Sequence, residues 1–187
     1  MALKLVRYVG VVTSATLGDD AAHSIDLGGL GSGNAFRVTE IGGRAVLIKI
    51  TNEGTACTAT NGMVIAANKD ALVLPEEKST SVSAISATNA DPVVFTVNNG
   101  HGFKVGDQVG MTDCATAGWN TLITNGNITV VTNYDHGRDS ITVDKNSTST
   151  GAFPGGTLRL NYTLSAINQS AGADASIIVE EVCGEAP

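Results

Sequence analysis

The chain has 187 residues and a formal net charge of −7, from 18 acidic and 11 basic side chains. That balance, without any Lys/Arg cluster, argues against nucleic acid as a partner, because phosphate neutralisation needs a basic surface. Only 16% of residues are charged and 4% aromatic, while 22 are glycine; this suits short strands joined by Gly/Asn/Asp turns better than long surface helices.

The first segment, LKLVRYVGVV, sets Leu3, Leu5, Val9 and Val11 at alternate positions and adds Lys4 and Arg7 to an otherwise acidic chain. Its apolar run, VGVV, is too short for the core of a signal peptide, and no membrane-spanning run follows, so cytosolic synthesis without membrane contact is expected. GDDAAHSID (18–26) crowds Asp19, Asp20, His23 and Asp26. Oxygen ligands this close could hold a divalent cation, but the spacing is not that of an EF-hand, and the segment reads as a solvated loop.

DLGGLGSG then reads as a glycine-rich loop leading into a strand, GNAFRVTEI (33–41). In RAVLIKITN (44–52), Val46, Ile48 and Ile50 alternate with Leu47 and Lys49, as on a strand with one buried face. MVIAANKDALVLPEE (63–77) holds two apolar runs split by Asn-Lys-Asp. At the far end, ASIIVEEV (175–182) places Ile177, Val179 and Glu181 opposite Ile178, Glu180 and Val182. No stretch has a helical period long enough to predict a helix.

The middle has shorter units. DPVVFTVNNGHGF (91–103) puts Val93, Phe95 and Val97 on one face, followed by KVGDQVGM, NGNITVVTNY and RDSITVDK. ITVVTNYDHGRDSITV reads as a hairpin closing through Asp135, His136, Gly137 and Arg138. Two echoing segments, SVSAIS (81–86) and TLSAIN (163–168), bracket this region. The expected architecture is therefore all-β: a discontinuous β-sandwich or jelly-roll-like domain of residues 1–85 plus 163–187, interrupted by an inserted domain of residues 86–162.

Catalytic readings find little support. His101 and Asp107 in NNGHGFKVGDQV could form an acid/base or metal pair, but no third ligand is placed nearby by sequence. The same residues have a conformational reading. Gly100 and Gly102 take backbone conformations that side chains resist, Phe103 and Val105 enter the core, and Gly106-Asp107 makes a tight turn. His136 with Asp135 and Asp139 sits where a hairpin tip is polar anyway. GGLGSG (28–33) has no helix after it to hold a phosphate. Cys57, Cys114 and Cys183 are widely spaced and read as buried free thiols, and Cys114 has no basic neighbour to activate it. Adjacent carboxylates at Glu76-Glu77 and Glu180-Glu181 would point to opposite faces of a strand. Trp119 reads as a core anchor. No catalytic residue, metal ligand or cofactor is expected.

The insert nevertheless has an individual order: His101-Gly102-Phe103, Gly106-Asp107, Val109, Trp119-Asn120, Thr129-Val130, then Thr142-Val143-Asp144. It resembles a small β-barrel module common in tailed-phage virion proteins and similar to the FCCH half-domain of ubiquitin-activating enzymes, over about 70 residues. IKITNEGTACTATNGMVIAANKDALVLP and LSAINQSAGADASIIVEE look like short phage β-sandwich proteins. The resemblance implies no ubiquitin chemistry. It implies a non-enzymatic structural component of a tailed phage, foremost a capsid decoration (cement) protein. Such a protein would be made in the host cytoplasm, sit on the capsid surface, bind the major capsid protein, and assemble with itself as a homotrimer.

A tail, connector or fibre component is the alternative within that class. A carbohydrate- or cell-surface-binding module, stacking a ligand on Trp119 and Tyr134, is the alternative outside it. The segment Leu3, Lys4, Leu5, Val6, Arg7 and Tyr8 is the candidate capsid-contact arm, against the plainer reading that it is the first strand of the sandwich.

Overall fold

The structure is a computed structural model that describes residues 3–12, 23–30, 34–75, 79–85, 91–98, 102–115, 117–123, 129–135, 139–147, 152–169 and 175–184. The chain is all-β, as its composition predicts, and divides into two compact units: Met1–Glu76 with Tyr162–Pro187, and Glu77–Asn161.

The first unit contains β1 (Leu3–Val12), β2 (His23–Gly29), β3 (Asn34–Glu40), β4 (Val46–Thr51), β5 (Met63–Ile65), β6 (Asp70–Val73) and β13 (Ile177–Gly184). A four-stranded antiparallel sheet runs β1-β13-β3-β6. Its register sets Val38 opposite Val179 and Phe36 opposite Glu181. Phe36, Val38, Ile177 and Val179 are all fully buried, which is the period-2 signature of a sheet covered on one face. The covering strands are β5, β4 and the end of β12 (Gly156–Asn168), whose residues Thr163–Asn168 pair with Thr51–Val46 of β4. Phe36 on one sheet meets Tyr162 on the other edge-on at 5.9 Å between ring centroids, the contact expected between the inner faces of a sandwich.

Two expectations in this unit need correction. Residues 23–29 are not loop: His23 to Gly29, which include the end of GDDAAHSID and the start of DLGGLGSG, form β2, which pairs with β12. The alternation expected along β4 is also incomplete, because Val46, Leu47 and Ile48 are all buried. The segment after β4 folds back over its second face. Cys57 donates its backbone N–H to Ser165 Oγ at 2.9 Å, and Ser165 lies opposite Lys49 in the ladder. A strand covered on both faces loses its polar/apolar alternation.

In the second unit lie β7 (Ser79–Ile85), β8 (Val93–Val97), β9 (Gln108–Thr112), a six-residue helix α1 (Ala117–Leu122), β10 (Thr129–Asp135), β11 (Ser140–Val143) and the start of β12. Pairing runs β7-β8-β11-β10-β9, and β12 joins both ends: Gly156–Arg159 pairs with β7 and Thr157–Leu160 with β9. The ladder therefore closes on itself. The unit begins at Glu77 rather than at 86, because β7, which carries the first SAI segment, pairs with β8 and with the start of β12. The second SAI segment, Ser165–Ile167, pairs with β4 in the first unit.

Phe95, Trp119 and Phe153 form the aromatic centre, with centroid separations of 5.1 to 6.2 Å and tilted or edge-on rings. That geometry adds to area burial by setting ring edges against ring faces. The expected hairpin is present, with Asp135 opposite Ser140.

Candidate functional site

Of the insert's motif, His101 and Gly100 lie outside the described residues. Gly102 to Asp107 build one turn. Gly102 and Gly106 adopt φ of 74° and 96°, a region open to glycine at little cost. Phe103 is buried beneath the turn. Asp107 is buried too, and its Oδ2 accepts the N–H of Lys104 at 2.8 Å while its own N–H reaches Lys104 O at 3.1 Å. The turn is fastened to β10 by Gly106 N–H to Val131 O and Val131 N–H to Asp107 O, both 2.9 Å. Asp107 thus acts as the turn's cap.

Val105 does not enter the core as expected; at the turn's tip it is 58% exposed. Asp144, the last motif residue, accepts the N–H of Val130 at 2.9 Å and so joins two motif strands. Trp119 is fully buried on α1, where Ile123 N–H bonds back to Trp119 O at 3.1 Å and Ile123 O receives Met111 N–H at 2.7 Å. The stacking pair required by the carbohydrate reading is therefore not available: Trp119 offers no face to a sugar ring, and Tyr134 is half-buried. Six residues give less than two turns of period, too few for this helix to show in the sequence. Its one legible sign is the i, i+4 pair Trp119 and Ile123.

The candidate arm lies in β1, the outer strand of the four-stranded sheet, paired with β13 from Leu3↔Gly184 to Val12↔Ile177. Leu5, Val6 and Tyr8 are 50%, 50% and 55% exposed. Leu3, Lys4 and Arg7 contribute backbone to this strand, and their side chains lie outside the described part of the structure. The segment is thus the first strand of the sandwich, with an apolar outer edge.

The candidate cation cluster is only partly described: Asp19 and Asp20 lie outside the described residues, as does His136. Asp26 Oδ1 accepts the N–H of Gly28 at 2.9 Å, the local Asx pattern of a turn-forming aspartate. Among the described residues, no group of three or more His, Cys, Asp or Glu is placed to hold a metal ion. Cys57 and Cys114 are buried free thiols and Cys183 is half-buried. Burial pushes the Cys57 thiol pKa up, against a smaller lowering by the charge of Lys49, so the reactive thiolate is disfavoured there.

Glu180 and Glu181 face opposite ways: Glu180 Oε2 takes Arg37 Nη2 at 2.6 Å and Nε at 2.9 Å, whereas buried Glu181 takes Asn34 Nδ2 at 2.7 Å. The polar group that the sequence did not single out is Glu40. It is buried, and its two oxygens accept the N–H groups of Gly42, Gly43 and Asn68 at 2.6, 3.1 and 2.7 Å. An acid two residues before a Gly-Gly pair is the only trace of it in the sequence.

Comparison with protein-family models, curated proteins and solved structures returns no match to this chain.

Proposed function

We propose that the chain is a non-enzymatic structural protein of a tailed-phage virion, a capsid decoration protein that binds the major capsid protein on the outer surface of the head and stabilises it. The observation that supports this reading is the role of the motif by which the chain resembles the virion module. Phe103, Gly106, Asp107, Trp119, Val143 and Asp144 belong to one unit, where they cap turns, join strands or fill the core. A motif spent on architecture suits a module defined by its shape. The closed ladder of the second unit is what an inserted small β-barrel requires.

The apolar outer edge of β1 supplies a surface for capsid contact, by addition of a strand to a sheet edge. The test is binding of the purified protein to expanded capsids that lack it. Saturation at a defined stoichiometry per capsid subunit supports the assignment, and binding to tails alone overturns it.

A further inference from the structure

We propose that Asn61–Gly62 is a self-modification site, a succinimide-forming pair that the segment between β4 and β5 holds inactive while it is closed on β12. Asparagine is thermolabile, and most so before glycine, which puts no side chain in the way of ring closure. The chain has three such pairs, at 61–62, 99–100 and 125–126. The first lies among the described residues.

In the reaction the amide nitrogen of Gly62 attacks Cγ of Asn61. The N–Cγ bond forms as the Cγ–Nδ2 bond breaks, and ammonia leaves with the Gly62 amide proton. Water, the one co-reactant, then opens the ring at either carbonyl to give aspartate or isoaspartate.

Two observations carry the assignment. The first is that packing demands glycine at 62. A Cβ there would lie 2.6 Å from Cys57 Sγ and 3.0 Å from Leu47 Cβ, closer than a side chain can sit against a filled core. The cover of β4 therefore creates the reactive pair.

The second is that every reacting atom is already engaged. The Gly62 N–H, the source of the nucleophile, donates to Thr58 O at 3.2 Å. Asn61 Oδ1 accepts the Thr58 N–H at 2.7 Å, and Nδ2, the leaving group, donates to Ala56 O at 3.2 Å. Ring closure turns the Asn61 side chain back over its own backbone, so these three bonds must break first. Two more hold the segment down: Cys57 N–H to buried Ser165 Oγ at 2.9 Å, and Thr55 N–H to Thr51 Oγ1 at 3.1 Å.

Conversion thus waits on local opening of this segment. It is also one-way. Isoaspartate adds a carbon to the backbone, which moves Gly62 off its seat against Cys57. The chemistry is the same whatever the protein binds.

The test is incubation at mildly alkaline pH, then peptide mapping with isoaspartate detection. The samples are the folded full chain, the chain in concentrated urea, and folded Ser165→Ala. In urea the three Asn-Gly pairs should convert at comparable rates. Folded, Asn61 should convert about tenfold or more slowly than in urea, because opening breaks several hydrogen bonds. Ser165→Ala releases the Cys57 N–H and should raise the folded rate about threefold or more. Should that variant not fold, Thr51→Val, which removes the acceptor for Thr55, carries the same expectation. Asp107→Ala, in the other unit, should leave the rate at Asn61 unchanged. Equal rates at Asn61 in folded and urea-unfolded protein, a loosened variant no faster than wild type, or an equal rise in Asp107→Ala would each overturn the proposal.

Discussion

The carboxylate of Glu40, at the end of β3, accepts the backbone N–H of Asn68 at 2.7 Å, and so ties the turn after β3 to the turn between β5 and β6. The same side chain holds the N–H groups of Gly42 and Gly43. Asn68 and Gly43 both have positive φ, 55° and 74°, so one buried acid secures two backbone conformations that are unfavourable for most residues. Removing it strands three donors. Glu40→Ala should therefore cost about 2–3 kcal/mol in urea unfolding. Glu40→Gln should cost less than Glu40→Ala but remain destabilising, because its amide nitrogen cannot accept an N–H.

Gly62 tests the loop that covers β4. A Cβ there would lie 2.6 Å from Cys57 Sγ and 3.0 Å from Leu47 Cβ. Gly62→Ala should destabilise by about 1–3 kcal/mol through overpacking. Pairing it with Cys57→Ala should give a combined cost below the sum of the two single changes. Additive costs in denaturant titrations would show that the loop does not pack as described.

Cys57 also gives a pH signature. Its folded pKa is raised by burial, so the folded state holds the thiol proton more tightly than the unfolded chain. The stabilisation is full below the ordinary thiol pKa of about 8.5 and declines as pH rises through the raised folded value. Wild type should lose stability more steeply than Cys57→Ala above about pH 8.5. Parallel slopes for the two proteins would contradict the assignment.

Asp107 and Trp119 separate turn from core in the second unit. Asp107→Ala should cost about 1–2 kcal/mol, as lost side-chain caps do, with Asp107→Asn retaining much of the stability through its remaining acceptor oxygen. Trp119→Ala empties the centre of the Phe95/Phe153 cluster and should cost about 3–5 kcal/mol. Thermal and denaturant unfolding measure both.

What could be read from the sequence follows from how local its causes are. Asp107 as a turn cap, Phe103 as core and the hairpin at Asp135–Ser140 follow from turn chemistry and short alternation. Val105 is exposed where alternation predicts core, because the chain turns there and side chains no longer alternate between faces. Leu47 is buried where one-faced alternation predicts exposure, because its cover comes from residues 55–62, a fact of tertiary folding. Glu40 was invisible for the same reason: one of its three donors, Asn68, lies 28 residues away. The second unit starts at Glu77, ahead of the first SAI segment, because pairing and not sequence echo assigns a strand to its unit.

The closed ladder of the second unit governs how its amide protons meet solvent. With each strand flanked by two others, exchange cannot advance inward from a free side and must wait for a seam to part. The seam with the fewest strand pairs among the described residues is β9–β10, Thr129↔Val109 and Val130↔Gln108, which the two backbone bonds of Val131 to Gly106 and Asp107 continue into the turn. Protection in this ring should therefore be lost as a block, with those four residues leading and the amides of β8 and β11 following together.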